Sequence, residues 1–292
     1  MTTFPSRAAF DDAQFGTFAP GRPEWLDRID HVRNLVRQEM ISRQLDRHLS
    51  PAPQTVLDVG AGQGTQSIRL ARAGHHVLAV EPDGEMRSAF TAALAAETSA
   101  VRDRVVLAEG ALDQLGAVAD VRQFDAVLLL GVLMYLPDSE PVIAELAAHV
   151  APGGVLAVAA RTTTSALWRP AARQDWTAAA AALAEFDAAR AERRDMRYVN
   201  EIGTPARADS FEKLVGIAQK AGLQLEQWYG VRVAVDLAER DPLPPSDPAE
   251  WEALLAVEEH LGTMDPYRQL AQLAHLILRR PAREEAGYSV RP

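Results

Sequence analysis

A glycine-rich turn between residues 58 and 65 is the segment of this sequence with the clearest chemical meaning. It reads Asp-Val-Gly-Ala-Gly-Gln-Gly-Thr and follows the short apolar run Val56-Leu57. Glycine permits a tight turn and a close approach of ligand to backbone. The N–H groups that open the next helix attract negative charge. About twenty residues on, Glu81 can accept hydrogen bonds from two ribose hydroxyls. The pattern predicts a nucleotide-type cofactor site; the alternative is a structural turn with a surface acid.

The glycine spacing separates two classes of cofactor. Dinucleotide sites have the pattern Gly-x-Gly-x-x-Gly, whereas here Gly60 and Gly62 are followed by Gly64 and then Thr65. Asp58 also lies inside the predicted strand, where dinucleotide sites usually carry an apolar residue. The segment resembles motif I of class I S-adenosylmethionine-dependent methyltransferases, with S-adenosyl-L-methionine as the cofactor. A nicotinamide oxidoreductase is the disfavoured alternative, and a catalytically silent cofactor-binding regulator is a further one.

This resemblance, which covers roughly residues 55–160, implies roles for individual residues. Asp58 and the glycine turn would orient the methionine half of the cofactor, and Glu81 would hold the ribose. Met86 would pack near adenine, and the segment 109–112 matches the loop at the adenine edge. Because a strand-end acid contributes little to a core, replacing Glu81 by alanine is expected to weaken cofactor binding without unfolding the chain.

Outside the common core, the chain resembles the bacterial tRNA 5-carboxymethoxyuridine methyltransferases, which esterify a carboxylate on a wobble uridine. Four segments carry this similarity: Phe10-Asp11-Asp12, Leu45-Asp46-Arg47, Gly230-Val231-Arg232-Val233 and Glu252–Tyr267. A family arginine that contacts the cofactor carboxylate falls on Arg37, for which a solvated helix-face arginine is the alternative reading. The predicted cofactor-binding residues are Arg37, Asp58, Gly60, Ala61, Gly62, Gly64, Glu81, Pro82, Met86, Ala111, Leu112 and Gly131.

The sequence departs from that family where the substrate would bind. Gly131 replaces a family histidine, and Arg161-Thr162 replace an aromatic residue and an amide. In place of the family's lysine-rich loop stands the mixed run 190–197, which includes Glu192 and Asp195. The resemblance therefore predicts the cofactor better than the acceptor: a small-molecule or nucleoside acceptor is expected, and tRNA is an open alternative.

The choice of acceptor decides whether the reaction needs a base. A hydroxyl acceptor benefits from one, whereas a carboxylate is already ionised at neutral pH. No base follows the fourth predicted strand, which mildly favours a carboxylate or an acceptor activated by proximity. Arg161, Arg232 and Tyr135 are candidates for positioning it, with ordinary strand-end surface arginines as the alternative reading. The seven histidines show no metal spacing, so no metal is predicted, and His75 and His76 are expected at the surface.

Alternating strand and helix patterns surround the turn and must position these residues. Because the strands are apolar without alternation, they predict a parallel sheet covered on both faces. Two later strands suggest an antiparallel C-terminal hairpin, and residues 25–49 have helical spacing. The predicted fold is α/β: a doubly wound, mostly parallel, seven-stranded Rossmann-like methyltransferase sheet with a helical lid. The predicted strands are Thr55–Val59, His76–Val80, Val105–Ala108, Asp125–Leu130, Val155–Ala160, Gln224–Asp236 and Ala274–Arg279.

The same pattern divides the chain into regions. They are an N-terminal helical cap (1–50), a cofactor-binding core (51–161), a helical insertion or lid (162–208), the C-terminal part of the same sheet (209–281) and a disordered tail (282–292). The insertion leaves the carboxyl end of the fifth strand, where ligands bind in open α/β sheets. We therefore expect the insertion, together with Arg37, to cover the cofactor and shape the acceptor pocket.

Composition excludes several other classes of protein. The 292 residues contain no cysteine, which excludes disulfides, thiolate metal sites and cysteine nucleophiles. The net charge of −10 means that a nucleic-acid partner would need a local basic patch. The longest apolar run, 126–136, is about half of what a membrane span needs. Without a signal-peptide pattern, a cytoplasmic protein with no membrane partner is expected. The sequence leaves the oligomeric state open.

Overall fold

A computed structural model describes residues 18–51, 53–120, 122–237 and 241–282. A seven-stranded sheet with helices on both faces forms its centre. A separate two-stranded sheet is built from β6 and β7. In chain order the strands are β1 Thr55–Val59, β2 His76–Glu81, β3 Val105–Glu109, β4 Phe124–Leu130, β5 Val150–Ala160, β6 Met196–Val199, β7 Pro205–Ala208, β8 Gln224–Val231 and β9 Leu273–Arg279.

The spatial order of the large sheet is β3-β2-β1-β4-β5-β9-β8. The first five strands pair in parallel, and β9 runs antiparallel to both of its neighbours. Consequently β8 points in the same direction as β5, and the carboxyl ends of all strands except β9 meet at one rim. The chain begins β9 at that same rim, so Gln272 and Leu273 also lie there.

Helices cover the two faces of the sheet. Buried side chains of α2, α3 and α11 pack on one face, and those of α6, α7 and α10 pack on the other. This is the arrangement that apolar, non-alternating strands require. The helices are α1 Arg22–Asp27, α2 Val32–Asp46, α3 Thr65–Arg72, α4 Gly84–Ala95, α5 Ser99–Arg102, α6 Leu115–Ala119, α7 Ser139–Ala148, α8 Thr163–Ala172, α9 Trp176–Glu192, α10 Phe211–Lys220 and α11 Pro248–Leu261.

The insertion after β5 is not purely helical, which corrects one part of the predicted lid. After α8 and α9 it continues into the antiparallel pair β6 and β7. Their alternating side chains explain the pairing, because Met196 and Tyr198 are buried while Arg197 and Val199 are only partly so. The turn between the strands, residues 200–204, faces the carboxyl rim of the large sheet.

Several predicted element bounds also differ from the structure. The single helix expected over 25–49 is divided into α1 and α2, and the last-but-one strand ends at Val231 before a 3₁₀ turn at Val235–Leu237. His75 is buried and accepts a hydrogen bond from the Gln54 N–H at 3.1 Å, whereas His76 is exposed as expected. The segment 10–12 and residues 283–292 of the predicted tail lie outside the described residues. Within the described ranges no helix is long and apolar enough to cross a membrane.

Candidate active site

A cavity of about 440 Å³ opens at the carboxyl rim of the sheet. The loops after β1, β2, β4, β5 and β8 all contribute to its wall, as does the turn between β6 and β7. The N-terminal segment from Phe18 to Trp25 lies on one side. The cavity is continuous but chemically divided. We call the part around the β1 and β2 loops the cofactor half, and the part around the ends of β5 and β8 the acceptor half.

The glycine turn forms the floor of the cofactor half with its backbone. Gly60 and Gly62 have φ of +71° and +60°, a region in which side chains other than glycine are strained. A Cβ at Gly60 would lie 2.4 Å from the Val132 side chain. The N–H groups of Gly60 and Ala61 both donate to the Val80 carbonyl. The turn is therefore fixed against β2, and its glycines leave the cavity open.

Glu81 is part of the structure of the turn as well as of the cavity wall. Its carboxylate is 6% exposed and accepts hydrogen bonds from the N–H groups of Gly62 (2.8 Å) and Asp83 (2.9 Å). Burial raises its pKa, and these two backbone bonds oppose that rise. The expectation that Glu81 contributes little to the fold needs correction, because this side chain ties the glycine turn to the end of β2.

Asp58 lies beneath the turn, on β1. It is 3% exposed and accepts a hydrogen bond from the Ser67 hydroxyl at 2.6 Å. Burial raises the pKa of the Asp58 carboxyl to about 6, and the nearby charge of Glu81 acts in the same direction. Two carboxylates on one wall make this half of the cavity favourable for a positively charged ligand group.

Arg37 reaches the cavity from α2 and lies over Gly131. Its guanidinium donates to the Leu130 carbonyl at 2.9 Å and lies 5.0 Å from the centre of the Trp25 ring. A Cβ at Gly131, whose φ is +83°, would come within 2.9 Å of Arg37 Nη2. Glycine at the end of β4 is therefore what admits the arginine. Burial lowers the pKa of Arg37 to about 10, and its buried Nη1 has no hydrogen-bond partner in the described part of the chain.

The N-terminal segment from Phe18 to Trp25 lies across the cofactor half and is held there by ion pairs and a hydrogen bond. Arg22 pairs with Asp83 at 2.5 Å and with Glu85 at 2.7 Å, both at the start of α4. Trp25 Nε1 donates to the Gln63 side chain at 3.3 Å. Because Gly21 packs directly beneath the turn of the insertion, the N-terminal segment and the insertion cover the cavity together.

Arg161 is a buried arginine on the wall of the acceptor half. It follows β5 directly, is 2% exposed, and places its guanidinium 4.8 Å from the centre of the Tyr198 ring. Its Nε and Nη2 atoms have no hydrogen-bond partner among residues that the structure describes. Buried guanidinium groups are normally paired, because an unpaired buried charge is costly. The arrangement is therefore suited to bind an anion that enters the cavity.

Arg232, at the end of β8, is engaged in a buried ion cluster. It has a φ of +65° and donates to Asp236 at 2.5 Å and to Glu201 at 3.1 Å. Asp236 is fully buried, and Glu201 comes from the turn between β6 and β7. Arg33 of α2 pairs with Asp236 at 3.0 Å, and Arg169 of α8 lies 3.6 Å from it. Sequence-distant elements are thus joined behind one wall of the cavity.

Tyr135 lines the cavity between the two halves. Its hydroxyl accepts a hydrogen bond from Asn200 at 3.0 Å, and its ring meets Phe18 edge-on. Burial strongly raises the pKa of its phenol, so the group stays protonated at neutral pH. The charges of Arg232 and Arg161 outweigh burial and lower the pKa of Glu201 to about 2.

The structure brings most of the sequence-predicted site residues to this cavity. Gly64 is the exception: it does not line the cavity, and a Cβ there would lie 2.2 Å from the Phe90 ring, so its role is packing. Arg161, Arg232 and Tyr135 all line the wall. Of the insertion, the β6–β7 hairpin reaches the cavity, whereas within the described residues no part of α8 or α9 does.

Sequence reasoning missed several residues that complete the cavity wall in both halves. A usable signal was present for some of them, because the apolar, charged, apolar order Met196-Arg197-Tyr198 followed by Gly203 is typical of a strand that enters a hairpin turn. No comparable signal marked the N-terminal aromatic residues. The missed lining residues are Phe18, Trp25, Tyr198, Asn200, Glu201, Ile202 and Gln272.

Comparison with known proteins agrees with the chemistry of the cofactor half. A family model described as a methyltransferase domain matches residues 57–158. The tRNA 5-carboxymethoxyuridine methyltransferase of Escherichia coli (strain K12) is 25% identical over 253 residues, which cover 86% of this chain and 90% of that protein. The ubiquinone biosynthesis O-methyltransferase of Xanthomonas oryzae pv. oryzae (strain PXO99A) is 30% identical over 170 residues, covering 56% of this chain and 67% of that protein.

Solved structures agree on the fold. The Burkholderia thailandensis 1,6-didemethyltoxoflavin-N1-methyltransferase has a TM-score of 0.55 at 15% identity, with coverage of 96% of this chain and 95% of that one. A Listeria monocytogenes protein described as a putative S-adenosylmethionine-dependent methyltransferase has a TM-score of 0.56 at 16% identity, with coverage of 84% and 98%. At these identities the likeness concerns the fold and leaves the acceptor open.

Proposed function

Since this chain belongs to the class I S-adenosylmethionine-dependent methyltransferases, we propose that it methylates an oxygen atom of a carboxylate-bearing small molecule or modified nucleoside. S-adenosyl-L-methionine is the cofactor, and it supplies an electrophilic methyl group on a positively charged sulfur. The observation that carries the acceptor assignment is Arg161, a buried guanidinium with unpaired donors on the cavity wall.

The cofactor half fits this cofactor in charge and in shape. We assign the methionine half to Asp58 and Arg37, because a carboxylate and a guanidinium match its ammonium and carboxylate groups. The ribose is assigned to Glu81, and adenine to the apolar surface of Met86, Ala111 and Leu112. The orphaned Nη1 of Arg37 and the open space above Gly60 and Gly62 support this assignment.

A carboxylate oxygen is the acceptor that best suits the ionisation of the surrounding groups. Tyr135 holds its proton, and Glu201, with a pKa near 2, is a weak base. Neither group suits the activation of a hydroxyl, which benefits from a base with a pKa near the working pH. A carboxylate needs no base. The protein then has only to align the acceptor oxygen with the methyl group and exclude water, which is an effective route to catalysis.

A tRNA wobble uridine bearing a carboxymethoxy group is a second candidate acceptor. It is favoured by the alignment of 86% of this chain with a tRNA 5-carboxymethoxyuridine methyltransferase. It requires the same carboxylate chemistry in the cavity and, in addition, an external surface that binds phosphates. Binding of tRNA would weaken steeply with added salt, whereas binding of a small acid would respond weakly.

Methyl-labelled cofactor tests the proposal directly. Purified protein is incubated with labelled S-adenosylmethionine and either a small-molecule extract or bulk tRNA, and the products are then treated with mild alkali. We expect label to be released as methanol, since a methyl ester is hydrolysed whereas a methyl ether or methylamine is not. Label that stays alkali-stable would contradict a carboxylate acceptor. Cofactor binding without any transfer would favour a regulator.

The control separates specific transfer from background. Arg190, an exposed residue at the end of α9, lies outside the cavity, so Arg190→Met should retain full transfer. Arg161→Met should lose transfer by about 10- to 100-fold while binding S-adenosylhomocysteine within twofold of the unaltered protein, because a hydrogen bond to a charged group contributes about 1.5–3 kcal/mol. Loss of cofactor binding in Arg161→Met would place Arg161 in the wrong half.

A further inference from the structure

Positive charge exceeds negative charge around the acceptor half. Within the part of the chain that the structure describes, two carboxylates, Glu201 and Asp236, pair with or lie beside five arginines. Because Arg33 has a further interaction besides these two carboxylates, the other four guanidiniums leave a surplus of two positive charges. The five arginines are Arg33, Arg161, Arg169, Arg173 and Arg232.

Neighbouring groups reduce this surplus without removing it. Glu258 of α11 is 1% exposed and lies beside Asp236, where it accepts hydrogen bonds from the N–H groups of residues 233–235. Counting its charge still leaves one positive charge unbalanced. Arg169 and Arg173 also donate to backbone carbonyls, which are dipoles and carry no net charge.

Water screens little of this charge. Arg161 and Arg169 are each 2% exposed, and Arg232 is 8% exposed. Buried charges of like sign repel one another more strongly than surface charges do. A ligand that brings negative charge into the acceptor half would therefore be attracted by the whole cluster, and Arg161 offers it unpaired donor atoms.

If a guanidinium bound the same carboxylate that is methylated, the ion pair between them would be lost during the reaction. When an acceptor oxygen forms a bond to the methyl carbon, the carbon–sulfur bond breaks and its electron pair stays on sulfur. No proton moves, and the resulting ester is neutral. A guanidinium holding that same carboxylate would lose its partner during the reaction, so it would oppose the transition state rather than favour it.

We infer that the acceptor carries at least two anionic groups, of which one is methylated and the second stays ionised on Arg161. This inference rests on the proposed function and narrows its substrate class. The second group is a carboxylate or a phosphate, since both accept paired hydrogen bonds from a guanidinium. The surplus of one or two positive charges favours an acceptor that brings a second negative charge besides the group that is methylated.

Small anions test this without knowledge of the natural acceptor. The melting temperature of the protein saturated with S-adenosylhomocysteine is measured against malonate, inorganic phosphate and acetate at constant ionic strength. A ligand that binds the folded state raises this temperature as its concentration rises. We expect malonate or phosphate to reach half of its effect at a concentration at least tenfold below that of acetate. Which dianion is more effective identifies the second group as carboxylate or phosphate.

Two variants locate the response. Arg161→Met should weaken the malonate or phosphate response at least tenfold, and Arg190→Met should leave it unchanged. Equal responses to acetate and both dianions would overturn the inference, as would a response that survives in Arg161→Met. The proposed function fails separately: a dianion response that depends on Arg161, combined with alkali-stable methyl products, would retain the anion site and reject the carboxylate acceptor.

Discussion

The two halves of the cavity differ in the buried charged side chains that line them. The cofactor half carries the buried carboxylates Asp58 and Glu81, and both accept hydrogen bonds from the protein itself. The acceptor half carries buried arginines, and Arg161 keeps two donor atoms without partners among the described residues. The protein holds the carboxylates of the cofactor half before a ligand arrives, although Nη1 of Arg37 in the same half also lacks a partner among the described residues. A site with unpaired donors is completed by its ligand, so its orphaned atoms describe that ligand's chemistry.

The largest expected difference in unfolding free energy is between two variants of the arginine cluster, Arg232→Met and Arg161→Met. Arg232→Met should lower the free energy of unfolding by about 1.5–3 kcal/mol, because Glu201 and Asp236 lose the hydrogen bonds that Arg232 donates to them. Arg161→Met should leave that free energy unchanged or raise it by about 1–3 kcal/mol, because it removes a buried cation whose Nε and Nη2 have no hydrogen-bond partner among the described residues. Urea unfolding of both variants without ligand measures the difference.

Equal destabilisation by the two substitutions would contradict the proposed difference between Arg232 and Arg161. It would mean that Arg161 is paired in solution and that the acceptor half is as complete as the cofactor half. Addition of malonate sharpens the test, since it should stabilise the unaltered protein more than Arg161→Met.

The backbone of the cofactor half is tested by glycine substitution. Gly64→Ala should cost about 2–5 kcal/mol of unfolding free energy, because φ at this position is +83° and the added Cβ would lie 2.2 Å from the Phe90 ring. The matched control is Gly74→Ala. There φ is +103° and no described atom lies within 4 Å of the added Cβ, so only the backbone strain of about 1–2 kcal/mol remains. Thermal unfolding distinguishes them, and similar losses would remove the packing role of Gly64.

Glu81 accepts hydrogen bonds from the glycine turn and is also assigned to the cofactor's ribose. Its replacement should therefore weaken both cofactor binding and the folded state. Glu81→Ala should weaken binding of S-adenosylhomocysteine by roughly 10–100-fold, since hydrogen bonds to a charged group are worth about 1.5–3 kcal/mol. It should also lower stability by about 1–3 kcal/mol, because the N–H groups of Gly62 and Asp83 lose their acceptor. Calorimetry and urea unfolding measure the two effects. Unchanged affinity in a folded variant would remove Glu81 from the site.

The smallest predicted effect is a pH dependence of cofactor binding. With a pKa raised to about 6 by burial, Asp58 is ionised at pH 7.5 and protonated at pH 5. The proposed partner of Asp58 is the cofactor's ammonium group, so affinity should be full above pH 6 and fall by at most tenfold per pH unit below it. Asp58→Asn should bind weakly with little pH dependence over this range. A variant that keeps the same dependence would assign the titration to another group.

The fold was predictable where local sequence signals agree with tertiary structure. The apolar strands and glycine stops predicted the seven-stranded α/β sheet, and the solved relatives confirm that fold. The position of β9 between β5 and β8 was not evident, because strand order depends on long-range pairing.

The two halves of the site differ in predictability for a related reason. The cofactor half is dominated by one strand–turn–helix–strand segment, 55–86, whose spacing is itself the signal. The acceptor half gathers Arg33, Arg161, Glu201 and Arg232 from elements far apart in sequence. These residues come together only in the folded chain. The sequence could therefore propose Arg161 and Arg232 as candidates. It could not show that Arg232 donates hydrogen bonds to carboxylates whereas Nε and Nη2 of Arg161 have no partner among the described residues.

The placement of β9 has a consequence for the order in which the chain folds during synthesis. β8 pairs with β9 and not with β5, so residues 224–231 cannot join the sheet until residue 279 has left the ribosome. Until then the apolar β5, from Val155 to Ala160, presents an unpaired edge. Such edges are prone to pair with other chains. A nascent or truncated chain that ends before β9 should therefore aggregate more readily than a chain that includes this strand.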